Sequence, residues 1–155
     1  NELQIRERTA LSNDEIVAQL KAVGPKAVLG RWATPLPMRY LPIPFGPPIG
    51  WVPLKYLLDV GFTRDMWCHR IDIHQAIGRP MQRTAEHDGR LVADIVREWA
   101  HVHDAPFDLE LTGEDGGSFR NGVDGERVAI DALDFIRTLS GRLAGTGVLT
   151  NPLPL

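Results

Sequence analysis

Three ionisable side chains with helical spacing are the residues of this chain best suited to chemistry. Asp65, His69 and Asp72 are four and three residues apart, so in an α-helix they share one stripe. A carboxylate and an imidazole one turn apart can bind the same divalent cation. Because their sector also holds Leu58 and Phe62, the pattern predicts that the stripe faces apolar neighbours. Charged groups in such a place are costly unless they are paired or bound to a ligand.

The same spacing has a simpler interpretation. Asp65 and Asp72 could hold His69 by hydrogen bonds in a satisfied polar cluster of the core. Cys68 is a weak candidate for a nucleophile, because a single cysteine inside a helix is usually a small hydrophobe. The remaining histidines are weak ligand candidates, since they fall on the opposite face or at expected surface and cap positions: His74, His87, His101 and His103. Spacing alone leaves both interpretations open.

A capping box predicts where the first long helix begins. Ser12 supplies the hydroxyl and Glu15 the acid, and apolar residues follow at helical spacing. Gly24-Pro25 should kink or split this helix. From Pro35 to Pro53, prolines and glycines alternate with apolar residues, so we expect an extended loop without helix or central strand. The large side chains of that loop are candidates for a pocket wall: Tyr40, Phe45 and Trp51.

Two more helices position the stripe. Pro53 and Gly78 delimit a long helix that carries Asp65, His69 and Asp72, and a further helix runs from Thr84 to about Ala100. The apolar content of the long helix predicts a place inside a helical bundle.

The pattern changes after residue 104. Apolar residues alternate over Phe107–Thr112, which predicts a strand with one exposed face. Two glycine turns continue it into a small antiparallel sheet, and Asp131 opens a last helix that Gly141 caps. We therefore predict the α+β class, with a helical region at 1–104 and a small α+β region at 105–155.

Composition excludes several functional classes. The 155-residue chain carries a formal net charge of −3 and no cluster of basic residues, which disfavours a nucleic-acid partner. No apolar run approaches the length of a membrane span, so no membrane association is expected. The single cysteine cannot form an internal disulfide. These features favour a soluble protein in the reducing cytoplasm.

Several segments together resemble a known family. They are the run Thr63–Ile73 with Ala76–Pro80, the preceding Pro47–Leu54, and the later Glu86–Arg90 and Leu139–Arg142. These segments resemble the mycothiol-dependent maleylpyruvate isomerase group of the DinB-like superfamily, whose members are metal-binding four-helix bundles. The resemblance implies an incomplete bundle of about three long helices, followed by the small sheet and its packed helix.

The resemblance also implies a metal centre. By the family motif, Asp65 and His69 match two ligands of a divalent ion, usually zinc, and Asp72 would orient His69 or a neighbouring helix from the second shell. The family takes a further ligand from a His on an earlier helix, and residues 1–68 contain none. Two explanations stay open. The N-terminal helices that carry this His are missing from a longer chain, as the linker-like opening segment suggests, or this member has abandoned the metal.

The family chemistry implies a thiol-dependent reaction. The ion would activate mycothiol as a thiol cosubstrate, and the thiolate would attack a small electrophilic substrate, giving isomerisation or transfer. No catalytic side chain is assigned by this reasoning. The alternative is a noncatalytic binding or regulatory module of the same fold that has lost its metal site. Such a module could form a homodimer, and its apolar tail Asn151–Leu155 could dock against a partner.

Overall fold

The computed structural model describes residues 2–155, which divide into a unit ending at Leu41 and a unit over Pro42–Leu155. The first unit contains three helices: α1 (Glu2–Arg8), α2 (Asn13–Ala33) and α3 (Leu36–Arg39). The capping box at the start of α2 is confirmed, since the Ser12 hydroxyl accepts from the Glu15 backbone and the Glu15 carboxylate accepts from Ser12 N–H. The expected split at Gly24-Pro25 is wrong. The helix is exposed there, so water can bond the carbonyl that Pro25 leaves without a donor.

A β-hairpin opens the second unit. Strands β1 (Pro42–Gly46) and β2 (Gly50–Pro53) pair antiparallel, with Pro44 opposite Trp51. The prediction of an extended loop without a helix is therefore wrong, since α3 and this hairpin both lie in the segment, but neither strand is a central one. A two-stranded hairpin tolerates its prolines because both strands are edge strands, and an edge residue need not donate to a neighbour.

The helix that carries the candidate ligands is continuous but not uniform. A short α4 (Leu54–Tyr56) leads into a π-helical turn (Leu57–Gly61), and α5 follows (Phe62–Ala76). Helix α6 spans Asp88–His103 and begins four residues later than predicted. The Thr84 hydroxyl accepts a hydrogen bond from His87 N–H in the turn that precedes it.

The sheet has an unexpected topology. Its strands β3 (Phe107–Thr112), β4 (Gly117–Asn121) and β5 (Glu126–Asp131) lie in the order β4-β3-β5. Strand β4 is antiparallel to β3, as predicted, but β5 is parallel to it, so the prediction of a wholly antiparallel sheet is wrong. The connection passes under the start of β3, where a Cβ on Gly125 would lie 2.3 Å from the Phe107 nitrogen. Gly125 is thus required for a close crossing and does not form a hairpin turn.

One core joins α5, α6, the sheet and α7 (Ala132–Leu139). Asp131 caps α7 by accepting from Leu133 N–H, as predicted. The tail packs on this core, since Leu153 is buried and its N–H donates to the Leu139 carbonyl. The largest buried side chains include Trp99, Phe107, Phe135, Ile71, Ile95 and Leu109.

The structure confirms the α+β class. Its helices and the strands of its small antiparallel and mixed sheets come in separate groups along the chain. The predicted boundary after residue 104 lies inside the second unit, where Trp99 packs 5.0 Å from Phe107 and 5.3 Å from Phe135 between ring centroids.

Candidate functional site

Asp65 and His69 lie side by side on α5. His69 Nε2 is 3.5 Å from Asp65 Oδ1, and their side chains are 59% and 55% exposed. The expectation that this stripe faces the core is therefore wrong. The buried face of α5 carries Arg64, Trp67, Cys68 and Ile71.

The π-helical turn explains the difference. Predicting a shared sector for Leu58 and Asp65 assumes an uninterrupted α-helix, whose residues advance by about 100° each. The π turn over Leu57–Gly61 takes up an extra residue and rotates everything after it. Leu58 therefore points into the core while Asp65 points out of it.

The spacing of the pair suits a shared metal ion. Two ligand atoms that each lie about 2.1 Å from a tetrahedral zinc ion are about 3.4 Å apart. The Nε2 to Oδ1 distance of 3.5 Å in the pair fits that requirement. Asp65 and His69 could therefore hold two positions of one ion without a change of backbone.

Asp72 joins this stripe to the C-terminal part of the chain. Its carboxylate accepts two hydrogen bonds from Arg142, at 2.7 Å from both Nε and Nη2. These hydrogen bonds hold the pKa of Asp72 below its usual range. Asp72 Oδ2 also lies 3.8 Å from His69 Nδ1, which is beyond hydrogen-bond distance, so the interaction between them is electrostatic.

The described residues do not complete a metal site. Across residues 2–155, no group of three or more His, Cys, Asp or Glu side chains is placed to hold one ion. Two other histidines already use a ring nitrogen locally. His74 Nδ1 lies 3.3 Å from the Arg79 carbonyl, and His103 Nδ1 accepts from Ala105 N–H at 2.9 Å.

A cavity of about 280 Å³ adjoins the pair, and Asp65 forms part of its wall. Of the three predicted wall residues, Phe45 lines this cavity. Trp51 is 71% exposed on β2 and lies outside the lining set, and Tyr40 belongs to the first unit. The lining residues are Phe45, Tyr56, Leu57, Gly61, Phe62, Arg64, Asp65, Pro154 and Leu155.

A buried ionic network beside the cavity escaped the sequence analysis. The Arg64 side chain is 3% exposed and donates to Asp94 at 2.6 Å and to Glu98. The Tyr56 hydroxyl donates to the other oxygen of Glu98 at 2.5 Å, and burial together with this carboxylate raises the pKa of Tyr56. One sequence feature could have indicated this network. Asp94 and Glu98 are four residues apart on α6, so their carboxylates lie on one side of the helix and repel each other unless a cation binds between them.

A second buried network fixes the segment between α5 and α6. The Asp88 carboxylate is 2% exposed and accepts from Trp67 Nε1 at 2.7 Å, from Thr84 N–H at 2.8 Å and from Arg70 at 3.1 Å. Two donors belong to α5 and the third to the turn before α6, so this carboxylate joins the two segments as a structural anchor.

Within residues 2–155, no helix combines the length and apolar character needed to cross a bilayer. Comparisons of the chain with family models, with curated protein sequences and with solved structures found no match.

Proposed function

We propose that this chain is a divalent-metal-dependent, thiol-dependent isomerase or transferase that acts on a small electrophilic substrate in the cytoplasm. The observation that supports it is the spacing of Asp65 and His69, which fits one tetrahedral ion at the edge of a substrate-sized cavity. The incomplete DinB-like bundle and mycothiol as the thiol are parts of the same proposal.

Each side chain has a separate role in this proposal. Asp65 and His69 would hold the cation, and zinc suits them because it accepts both carboxylate oxygen and imidazole nitrogen as ligands. Asp72, fixed by Arg142, would help to orient the imidazole of His69 through its charge, 3.8 Å from Nδ1. A bound divalent ion would supply Lewis acidity that lowers the pKa of a coordinated thiol. The apolar cavity wall would shield the substrate from water.

A zinc titration tests the metal site. We expect Asp65→Asn and His69→Gln each to weaken zinc binding at least about tenfold in isothermal titration calorimetry. His74→Gln is the matched control, because it removes an imidazole from the same helix without touching the pair. Equal zinc affinity in the unaltered chain and the Asp65→Asn, His69→Gln double variant would contradict the proposal.

The cosubstrate needs a separate measurement. With cobalt in place of zinc, adding mycothiol should produce a thiolate-to-metal absorption band, because the open positions of a two-ligand site admit the thiol. If cobalt binds but the band does not appear when mycothiol is added, the metal site stands and the thiol chemistry is rejected.

A noncatalytic binding module is the second candidate, and helix α2 favours it. None of its residues, Asn13–Ala33, is buried, and Ile16, Leu20 and Val23 expose a continuous apolar stripe. A helix of this kind gains stability from a partner, and a second copy of the chain is the simplest one.

Light scattering after size exclusion tests this candidate. We expect a dimer that Leu20→Glu converts to monomer, while Gln19→Glu, which adds the same charge next to the stripe, leaves the dimer intact. A monomer at all concentrations would reject the homodimer.

A further inference from the structure

Three aromatic residues line the cavity beside Asp65. Phe45 comes from β1, Tyr56 from α4 and Phe62 from the first turn of α5. The rings of Phe45 and Tyr56 lie 5.1 Å apart between centroids and are nearly perpendicular, at 89°. Phe62 is partly exposed, so the ring cluster is accessible from solvent.

The charges around the cavity are unbalanced. Arg64 is the one cationic side chain among the described residues that line it, and this guanidinium already binds both Asp94 and Glu98. Arg97 also contacts Asp94, at 3.4 Å, so the acids of this network are paired with cations. The carboxylate of Asp65 at the wall gives the cavity its negative charge. An anionic ligand would find no available cation here, and its charge would be repelled.

We propose that this cavity binds a small organic cation, in which an ammonium or quaternary ammonium group is attached to an apolar body. Aromatic faces attract such cations through the ring quadrupole, and a nearby carboxylate adds a direct charge interaction. The volume of about 280 Å³ suits a ligand of one ring with a short substituent.

This site shares Asp65 with the proposed metal site but otherwise depends on different residues. It uses the rings and Asp65 but does not need His69, whereas the metal site needs both Asp65 and His69. Because Asp65 is common to both, a divalent ion and the organic cation should compete for it.

Three probes of similar size and different charge test the proposal. They are benzyltrimethylammonium, benzyl alcohol and benzoate, titrated by calorimetry into the full chain in the presence of a chelator. We expect the cation to bind about fivefold more tightly than the alcohol, and benzoate not to bind. Equal affinity for the cation and the alcohol would overturn the proposal, as would the absence of binding by any probe.

Variants separate the contributions. Asp65→Asn and Phe62→Leu should each bring the affinity for the cation down toward that of the alcohol, because one removes the charge and the other the ring face. Asp59→Asn is the matched control for loss of a carboxylate. His69→Gln should weaken zinc binding at least about tenfold and retain binding of the organic cation. If His69→Gln also lost binding of the organic cation, the proposed organic-cation site would be rejected. If the unaltered chain failed to bind zinc, only the metal proposal would be rejected.

Discussion

Two polar clusters lie on adjacent faces of helix α5, and they differ in their access to water. Asp65 and His69 are more than half exposed and pair with each other, and His69 also lies 3.8 Å from Asp72. Arg64, one residue from Asp65, is buried and bound by two carboxylates. An exposed cluster can keep unfilled ligand positions at little cost, because water occupies them. A buried cluster must be satisfied internally, so it is fixed and serves the fold.

The largest expected effect is on the buried side. Arg64→Ala should lower the free energy of unfolding by about 2–3 kcal/mol, because it removes charge-assisted hydrogen bonds while Asp94, 46% exposed, and Glu98, 19% exposed, keep access to water. Urea denaturation measures this change. Arg97→Ala is the control, since Arg97 contacts the same Asp94 at 3.4 Å but is 76% exposed, and it should cost less than about 0.5 kcal/mol. Similar losses in both variants would show that the burial of Arg64 does not set the cost of removing it.

The buried face also protects Cys68. Burial raises the pKa of its thiol to about 11, so at pH 8 its thiolate fraction is on the order of a hundredfold below that of an ordinary exposed cysteine. Alkylation by iodoacetamide, followed by mass spectrometry, should therefore be slow until the protein unfolds. A cysteine introduced at the exposed Ser118, in a Cys68→Ser background, is the control. Equally fast labelling of both would show that the face opens readily.

A smaller effect is expected at the border between the faces, where Asp72 binds Arg142. The side chains of this pair are 39% and 29% exposed, so solvent screening limits the loss in Asp72→Asn to about 1 kcal/mol. The folded-state pKa of Asp72 is lowered, chiefly by the Arg142 hydrogen bonds. Its stabilisation is therefore present above the unfolded-state pKa, near 3.9, and is lost as the pH falls through the folded-state value.

Denaturation curves between pH 7 and pH 2 would measure this dependence. The difference between the unaltered chain and Asp72→Asn should shrink only at the acidic end. An Arg142→Gln variant should behave like Asp72→Asn, and the double variant should lose no more than either single one. If the difference in free energy of unfolding between the two proteins stayed constant across the pH range, the ion pair could not be its cause.

The smallest effect on stability is expected for the exposed pair. His69→Gln should change the free energy of unfolding by less than about 0.5 kcal/mol, because the substitution removes no buried contact. Urea denaturation of this variant beside His74→Gln tests the expectation. A loss above about 2 kcal/mol would mean that His69 supports the fold and would weaken its assignment as a ligand.

Local signals predicted several elements correctly. The capping box of α2, the alternation of β3 and the Asp131 cap of α7 each depend on residues within a few positions of one another. Such interactions form in any chain with that local sequence, because they need no distant partner.

The errors occurred where distant contacts or an altered period decided the outcome. The π turn rotated the predicted stripe, and the close passage of Gly125 under Phe107 placed β5 parallel to β3. Arg64 meets Asp94 and Glu98 across 30 and 34 residues of chain, a separation over which helical spacing gives no information.

The sequence by itself determined that Asp65, His69 and Asp72 share one side of a helix, because a 3.6-residue period places them there in any environment. It also determined the caps and the α+β class. Only the tertiary structure decided which side of α5 faces water, which acids neutralise Arg64 and which rings line the cavity. Those outcomes depend on burial and charge pairing between segments far apart in the chain, and burial exists only after the chain has packed.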